Sequence, residues 1–278
     1  MEKNSSNKKA SSILDNQKVQ IGLVALLVVA AFAIGSLFTK VRLLEKNVGT
    51  TTQATGTTTG TTQQPTKPTI AISSIKDAFN KAVIKFGDVN GKLVMLEISD
   101  PSCPYCQFAG GMDKELNAQS GQFKLVVDGG TYIAPVPEMK KLVDQGKAAF
   151  ALLYFPGHSN GEMGMKALYC AFEMGKFWEV DGLIMSNAGY NLMNNTIHND
   201  KTQSGALADF LGSVADSSTM KTCLDSGKYD SQLGLEQGIA SGLGVNGTPG
   251  FFVNTTNFAG AYGFDQMQPA VNAALGLK

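Results

Sequence analysis

Leu93-Val94-Met95-Leu96-Glu97-Ile98-Ser99-Asp100-Pro101-Ser102-Cys103-Pro104-Tyr105-Cys106 is the stretch whose reading decides the fold. Residues 93–99 form an apolar run of strand length. From Gln107 onward the pattern turns helical, with Phe108, Met112 and Leu116 spaced four apart. Pro104 stands where the first helical residue belongs, a position where proline gives up no needed hydrogen bond. Cys103 then lies beside the free N–H groups and positive end of the helix. That setting stabilises a thiolate, the reactive form of the side chain. With two residues between the cysteines, both sulfurs meet on one turn, and the pair can cycle between dithiol and disulfide.

Two plainer readings of the pair are a structural disulfide and half of a zinc site. Zinc needs two more ligands, usually a second close pair. Cys170 and Cys223 are isolated in sequence, and His158 and His198 are the only histidines. His158 reads as structural or solvent-facing, and His198, among asparagines, as an exposed loop residue. No metal site and no cofactor is expected. A dithiol metal-binding module for copper(I), which accepts thiolates, is the rival from another class. No Met or His flanks the motif to complete such a site.

Outward from this motif, the 278 residues are unevenly charged. Residues 1–68 hold eight Lys/Arg and three Asp/Glu; the remainder holds 15 basic and 20 acidic residues, a net charge of −5. Such a domain offers no basic face for nucleic acid. Residues 1–18 are polar and lysine-dotted and read as a cytoplasmic N-terminus. Val19–Thr39 carries no charge, and as a helix it would extend about 31 Å, enough to cross a bilayer. Ala31-Phe32-Ala33 resembles a signal-peptidase site, but Ile34, Leu37 and Phe38 continue the apolar run beyond it, which favours an uncleaved anchor. Residues 40–70, rich in Thr and Gly, lack the apolar surface to offset their chain entropy and read as a tether.

Beyond the tether, Ser74–Phe86 reads as a helix and Phe123–Val127 as a short strand. Asp128–Pro137 is turn-rich and Glu138–Gln145 helical. Ala148–Phe155 is a second buried strand, and a long helical block runs from Gly161 to about Gly242. Phe251–Val253 and Phe258–Ala261 read as strands, and Gln266–Leu277 as a last amphipathic helix. The order predicts an α/β fold: a thioredoxin-like domain (71–157 and 243–278) with an inserted helical domain (158–242).

Four stretches carry a resemblance to a known family: Leu96–Cys106, Gly175-Lys176-Phe177-Trp178-Glu179, Cys223–Tyr229, and Gly244-Val245-Asn246-Gly247-Thr248-Pro249-Gly250-Phe251-Phe252-Val253. The chain resembles the DsbA family of extracytoplasmic thiol–disulfide oxidoreductases, especially its membrane-anchored members, over about residues 93–277. The resemblance implies that Cys103 and Cys106 are catalytic. It implies a cis Thr248–Pro249 bond facing them, with Pro104, Tyr105, Thr248 and Pro249 lining a substrate groove. It also implies that Glu97 is a buried acid relaying protons to the second cysteine. Cys170 and Cys223 remain as a second pair, and related chains often carry a cysteine at both positions. A structural disulfide between them is expected in an oxidising compartment, the alternative being two buried free thiols.

Departures from the family pattern qualify this picture. Pro-Tyr replaces the Pro-His of the most oxidising members, so no nearby positive charge assists Cys103, which should be less acidic and its disulfide less oxidising than theirs. Gln122–Gly146 has the look of an insertion, and the usual His-Asp after Trp178-Glu179 becomes Val180-Asp181. The expected activity is donation of the Cys103–Cys106 disulfide to cysteine-containing substrate proteins, outside the cytoplasm (periplasm or cell surface). The protein would be a monomer held by its N-terminal helix and reset by a membrane redox partner. The alternative is the same chemistry reversed: a reductase or isomerase kept reduced by a membrane partner.

Overall fold

The structure is a computed structural model that describes residues 70–277. The expected cytoplasmic N-terminus, membrane anchor and nearly all of the tether lie outside these residues. Strand β2 (Val94–Ser99) is the centre of a five-stranded sheet of order β1-β3-β2-β4-β5, with β1 at Ile84–Phe86, β3 at Ala149–Tyr154, β4 at Gly250–Val253 and β5 at Thr256–Ala259. β2 pairs parallel with β3 and antiparallel with β4, so that Glu97 stands between Leu152 and Phe251. Every residue of β2 and β3 is buried. Their largely apolar runs, interrupted in β2 by Glu97, therefore reflect burial on both faces of the sheet.

Alternation along β2 divides the core in two. Val94, Leu96 and Ile98 pack with Ile75 and Phe79 of helix α1 (Ile72–Lys81). Met95 belongs to the opposite core, with Phe150, Met139, Tyr169 and Cys106. Glu97, two residues on, shares that second face. The helix expected over Ser74–Phe86 is shorter. It ends at Lys81, Ala82 is extended, and Ile84–Phe86 pairs antiparallel with β3 as an edge strand. The β-branched Val83 and Ile84 suit a strand better than a helix end. Gly87 turns the chain beyond it at φ 79°, and a Cβ there would overlap the Ala148 carbonyl.

The helix that begins at the dithiol, α2 (Pro104–Gly110), stops at Gly111, which is left-handed at φ 67°. Met112 therefore lies beyond it, and Leu116 falls on a separate helix, α3 (Lys114–Gln119). The strand expected at Phe123–Val127 is absent. That segment makes a single bridge between Leu125 and Tyr132 and a 3-10 turn at Val126–Asp128. Side chains hold it instead: Phe108, Phe123, Leu125, Tyr132 and Ala134 form a small core of their own. Helix α4 (Pro135–Asp144) follows, with Pro135 and Pro137 in its first turn, where no N–H is missed.

Between β3 and β4 the chain makes a helical excursion. It comprises α5 (Glu162–Glu173), α6 (Phe177–Ile184), α7 (Asn187–Leu192), α8 (Ser204–Phe210), α9 (Ser217–Asp225) and α10 (Asp230–Gly242). Glu236 of α10, fully buried, fastens it to the sheet. Its carboxylate accepts hydrogen bonds from the Tyr154 N–H at 2.8 Å, the Val83 N–H at 3.3 Å and the Tyr169 hydroxyl. Cys170 of α5 and Cys223 of α9 form a disulfide with Cα atoms 6.1 Å apart. A final helix, α11 (Phe264–Leu275), packs on the face that holds Met95. Among the described residues no helix is long and apolar enough to cross a membrane.

Candidate active site: a dithiol facing a proline loop

β2 delivers the chain to one end of the sheet, and after Asp100-Pro101-Ser102 the motif Cys103–Cys106 forms the site. Cys103 is the N-cap residue of α2 and Pro104 its first helical residue; the Cys103 carbonyl accepts hydrogen bonds from the N–H groups of Cys106 and Gln107, each at 3.1 Å. Cys103 and Cys106 are both free thiols. Across the gap lies the loop before β4, where the Thr248–Pro249 bond is cis. The Cys103 thiol points at it and donates to the Thr248 carbonyl at 3.5 Å. Pro104 and Tyr105 sit beside this loop, and Tyr105 is half-exposed.

The first cysteine of such a pair is expected to be exposed, yet only 4% of Cys103 is accessible, with its thiol against the Thr248 carbonyl. Cys106 is wholly buried and its sulfur accepts the Asp100 N–H at 3.5 Å. The two thiols are shifted in opposite directions. A hydrogen bond from Cys106 lowers the Cys103 pKa to about 6, against the opposing effect of burial; the Cys106 and Tyr105 backbone N–H groups also lower it. Burial first, then the neighbouring Cys103, pushes Cys106 well above the ordinary thiol value. One sulfur is thus held as a thiolate near neutral pH and the other as a thiol.

Glu97 lies on the same sheet face, almost fully buried. Burial and then the Asp181 carboxylate raise its pKa to about 8, opposed by a hydrogen bond with Ser99. Ser99, two residues further along the same face, lowers the pKa of both Glu97 and Cys106, so its hydroxyl lies near the acid and near the buried sulfur. Asp181, on α6, is itself raised to about 7 by burial; its carboxyl is more enclosed than the residue as a whole.

Three further residues shape the site. Asp100, three before Cys103 and fully buried, accepts from the Ser102 N–H at 2.8 Å and hydroxyl at 2.7 Å. Its other oxygen accepts the N–H groups of Gly157 and His158, both at 2.7 Å. Gly157 in turn is covered by Thr248, whose hydroxyl a Cβ at residue 157 would overlap. Asp100 therefore fixes the loop on which the Thr248 segment rests. Gln107, also buried, donates to the carbonyls of Pro101 at 2.9 Å and Ile184 at 3.3 Å, tying α2 to the helical excursion. The signal for Asp100 was legible in outline, as a lone carboxylate between an apolar strand and a helix start. Gln107 gave none. The Cys170–Cys223 pair joins α5 to α9. His158 serves through its backbone N–H alone.

A buried sheet strand that ends in Cys-Pro-Tyr-Cys, opposite a cis-proline loop, is the arrangement of thioredoxin-like proteins. A thioredoxin family model matches residues 136–273, which include β3, β4, the proline loop and most of α11 but not the dithiol. The chain has a thioredoxin-like fold. Solved structures show the same fold. Oxidised BdbD from Bacillus subtilis is 15% identical, with a TM-score of 0.50 over 71% of this chain and 95% of that one. DsbA from Chlamydia trachomatis is 16% identical, with a TM-score of 0.51 over 77% and 96%. The catalytic domain of Proteus mirabilis ScsC is 18% identical, with a TM-score of 0.51 over 74% and 99%. No curated protein sequence matches the chain. In this thioredoxin-like fold the dithiol stands at the head of α2, facing the cis-proline loop.

Proposed function

We propose that the protein donates its Cys103–Cys106 disulfide to cysteine-containing substrate proteins outside the cytoplasm, held at the membrane by residues 19–39. The observation that carries this reading is the opposed shift of the two sulfurs, Cys103 down to about 6 and Cys106 up. A low-pKa thiol is a good leaving group and its disulfide a ready oxidant.

In the oxidised protein a substrate thiolate attacks Cys103 Sγ. The Cys103–Cys106 bond breaks and Cys106 leaves with the electron pair. The buried Cys106 sulfur cannot stay charged cheaply and takes a proton, for which Glu97, protonated up to about pH 8, is the source through Ser99. A second substrate thiolate then attacks the substrate sulfur of the mixed disulfide. Cys103 departs as a thiolate, and the substrate leaves with its new disulfide. The pair has gained two electrons, which a membrane redox partner must remove before the next turn. The reverse direction, reductase or isomerase, uses the same atoms.

Two measurements test this. The equilibrium of the pair with glutathione gives its reduction potential: a value near −120 mV supports donation and one near −270 mV the reverse direction. Trapping with Cys106→Ala in cells should collect substrates as mixed disulfides on Cys103, and fractionation of the same cells shows on which side of the membrane they form. No mixed disulfides at all would defeat the proposal.

A further inference from the structure

The chain holds three Asn-Gly steps: Asn90-Gly91, Asn160-Gly161 and Asn246-Gly247. Each carries a latent reaction, because the glycine nitrogen can attack the asparagine side-chain carbonyl with no Cβ of its own in the way. Whether the reaction proceeds depends on how firmly the fold holds the pair. At the first step the Gly91 N–H donates to the Asp88 carbonyl at 2.9 Å, and the Asn90 N–H to the Asp88 carboxylate at 2.9 Å. At the second, the Asn160 side-chain amide donates to Asn194 at 3.3 Å, and Gly161 is buried against the Asp100 carboxylate.

Nothing comparable holds Asn246-Gly247. Both residues are exposed, in the connection between α10 and β4. Among the described residues neither the Gly247 N–H nor the Asn246 side chain makes a hydrogen bond, and a Cβ on Gly247 would meet no atom within 4 Å. The ends of this short segment, by contrast, are pinned. Val245 packs with Ile98 and Phe252, and its N–H donates to the Ala240 carbonyl at 3.0 Å. The Pro249 carbonyl accepts the Gly260 N–H at 2.8 Å. Only Asn246, Gly247 and Thr248 span the gap, and Thr248 presents the carbonyl that receives the Cys103 thiol at 3.5 Å.

We propose that Asn246 is a self-modification site whose isoaspartyl product shifts the Thr248 carbonyl and slows exchange at Cys103. The Gly247 nitrogen bonds to Cγ of Asn246, and its proton and the side-chain nitrogen leave as ammonia. Water then opens the cyclic imide. Cleavage of the new bond gives aspartate; cleavage of the original peptide bond gives isoaspartate, with the chain running through Cγ. The isoaspartyl chain is longer by one backbone bond, about 1.5 Å. Between two pinned ends that length must be taken up by Gly247 and Thr248. The modification itself goes beyond the exchange reading above, and only its effect on exchange rests on that reading.

The test incubates the full-length oxidised protein in mildly alkaline buffer, which favours loss of the Gly247 amide proton. Peptide mapping follows the mass gain at each Asn-Gly step, with isoaspartate told from aspartate by retention. Disulfide transfer to a two-cysteine peptide is timed on the same samples. Asn246 should convert about tenfold faster than Asn90 or Asn160, whose hydrogen bonds must first open. Transfer by the isoaspartyl fraction should fall about tenfold, since a misplacement of about 1 Å at a reacting centre costs up to about a hundredfold. Incubated Asn246→Gln, whose longer side chain closes a less favoured ring, should keep its mass and its rate. Fresh Asn246→Asp, which carries the charge without the added backbone bond, should transfer within about twofold of the parent. Conversion of Asn246 no faster than that of Asn90 overturns the site. Full transfer by the isoaspartyl form, or an equal loss in fresh Asn246→Asp, overturns the displacement of Thr248. Failure of the fresh parent to transfer at all overturns the exchange reading and with it the effect on exchange, while the modification stands on its mass gain.

Discussion

The backbone N–H of Asp100 donates to the sulfur of Cys106 at 3.5 Å. The last turn before the helix thus reaches the buried thiol directly. Yet that one contact does not make Cys106 acidic, because burial and the neighbouring Cys103 outweigh it.

Alkylation should read this asymmetry. In the reduced protein, iodoacetamide should modify Cys103 first, with a rate that is half-maximal near pH 6. Cys106 should stay unmodified across that range. Mass mapping of the modified peptide checks the order, and faster labelling of Cys106 would reverse the assignment.

Asp100 should tolerate asparagine better than alanine. Asp100→Ala strands the buried N–H and hydroxyl of Ser102 and releases the N–H groups of Gly157 and His158, and should cost about 3 kcal/mol. Asp100→Asn keeps one accepting oxygen and should lose less. Urea unfolding of the reduced proteins measures both; equal stability of Asp100→Ala and the parent would show that water replaces the carboxylate.

Glu97 ties stability to pH with a definite sign. Its folded pKa, about 8, lies above the ordinary 4.5, so the native state binds the extra proton. Its contribution is fully present below pH 4.5 and is lost as pH rises through 8, to a total of up to about 5 kcal/mol. Glu97→Gln, which cannot ionise, should therefore gain stability relative to the parent between pH 5 and 8. Parallel curves for the two proteins would mean that Glu97 stays ionised in the fold.

The disulfide of the helical excursion should matter for stability. It closes a loop of sequence separation 53, which chain entropy values at roughly 4 kcal/mol. The double variant Cys170→Ser, Cys223→Ser should unfold at correspondingly lower urea. The alkylation profile of Cys103 should not move.

What could be read ahead of the coordinates was whatever one local pattern decides. Leu93–Ser99 could only be a covered strand, and Pro104 could only open a helix, so the thioredoxin-like frame followed. Phe123–Val127 looked like a strand because alternation is the same whether a ladder or a cluster satisfies it. Only the contacts of Phe123 with Tyr105, Phe108 and Tyr132 reveal the cluster. Val83–Phe86 was absorbed into the preceding helix because its partner β3 lies over sixty residues away. The roles of Asp100 and Gly157 are likewise non-local, since the loop they join is separated by 57 residues.

Gly157 and Thr248 have one more consequence. They mark where the chain departs from the sheet and where it returns, and they touch. The ninety-odd residues between them make a round trip with no net displacement. Loop-closure entropy grows slowly, about 0.6 kcal/mol for each doubling of length. The outer parts of such a detour can be shortened or enlarged without moving its anchor points, while Glu236 and Tyr169 hold its inner side to the sheet. Its entry and exit abut the reactive sulfurs, so each such change would also redesign the surface that a substrate meets.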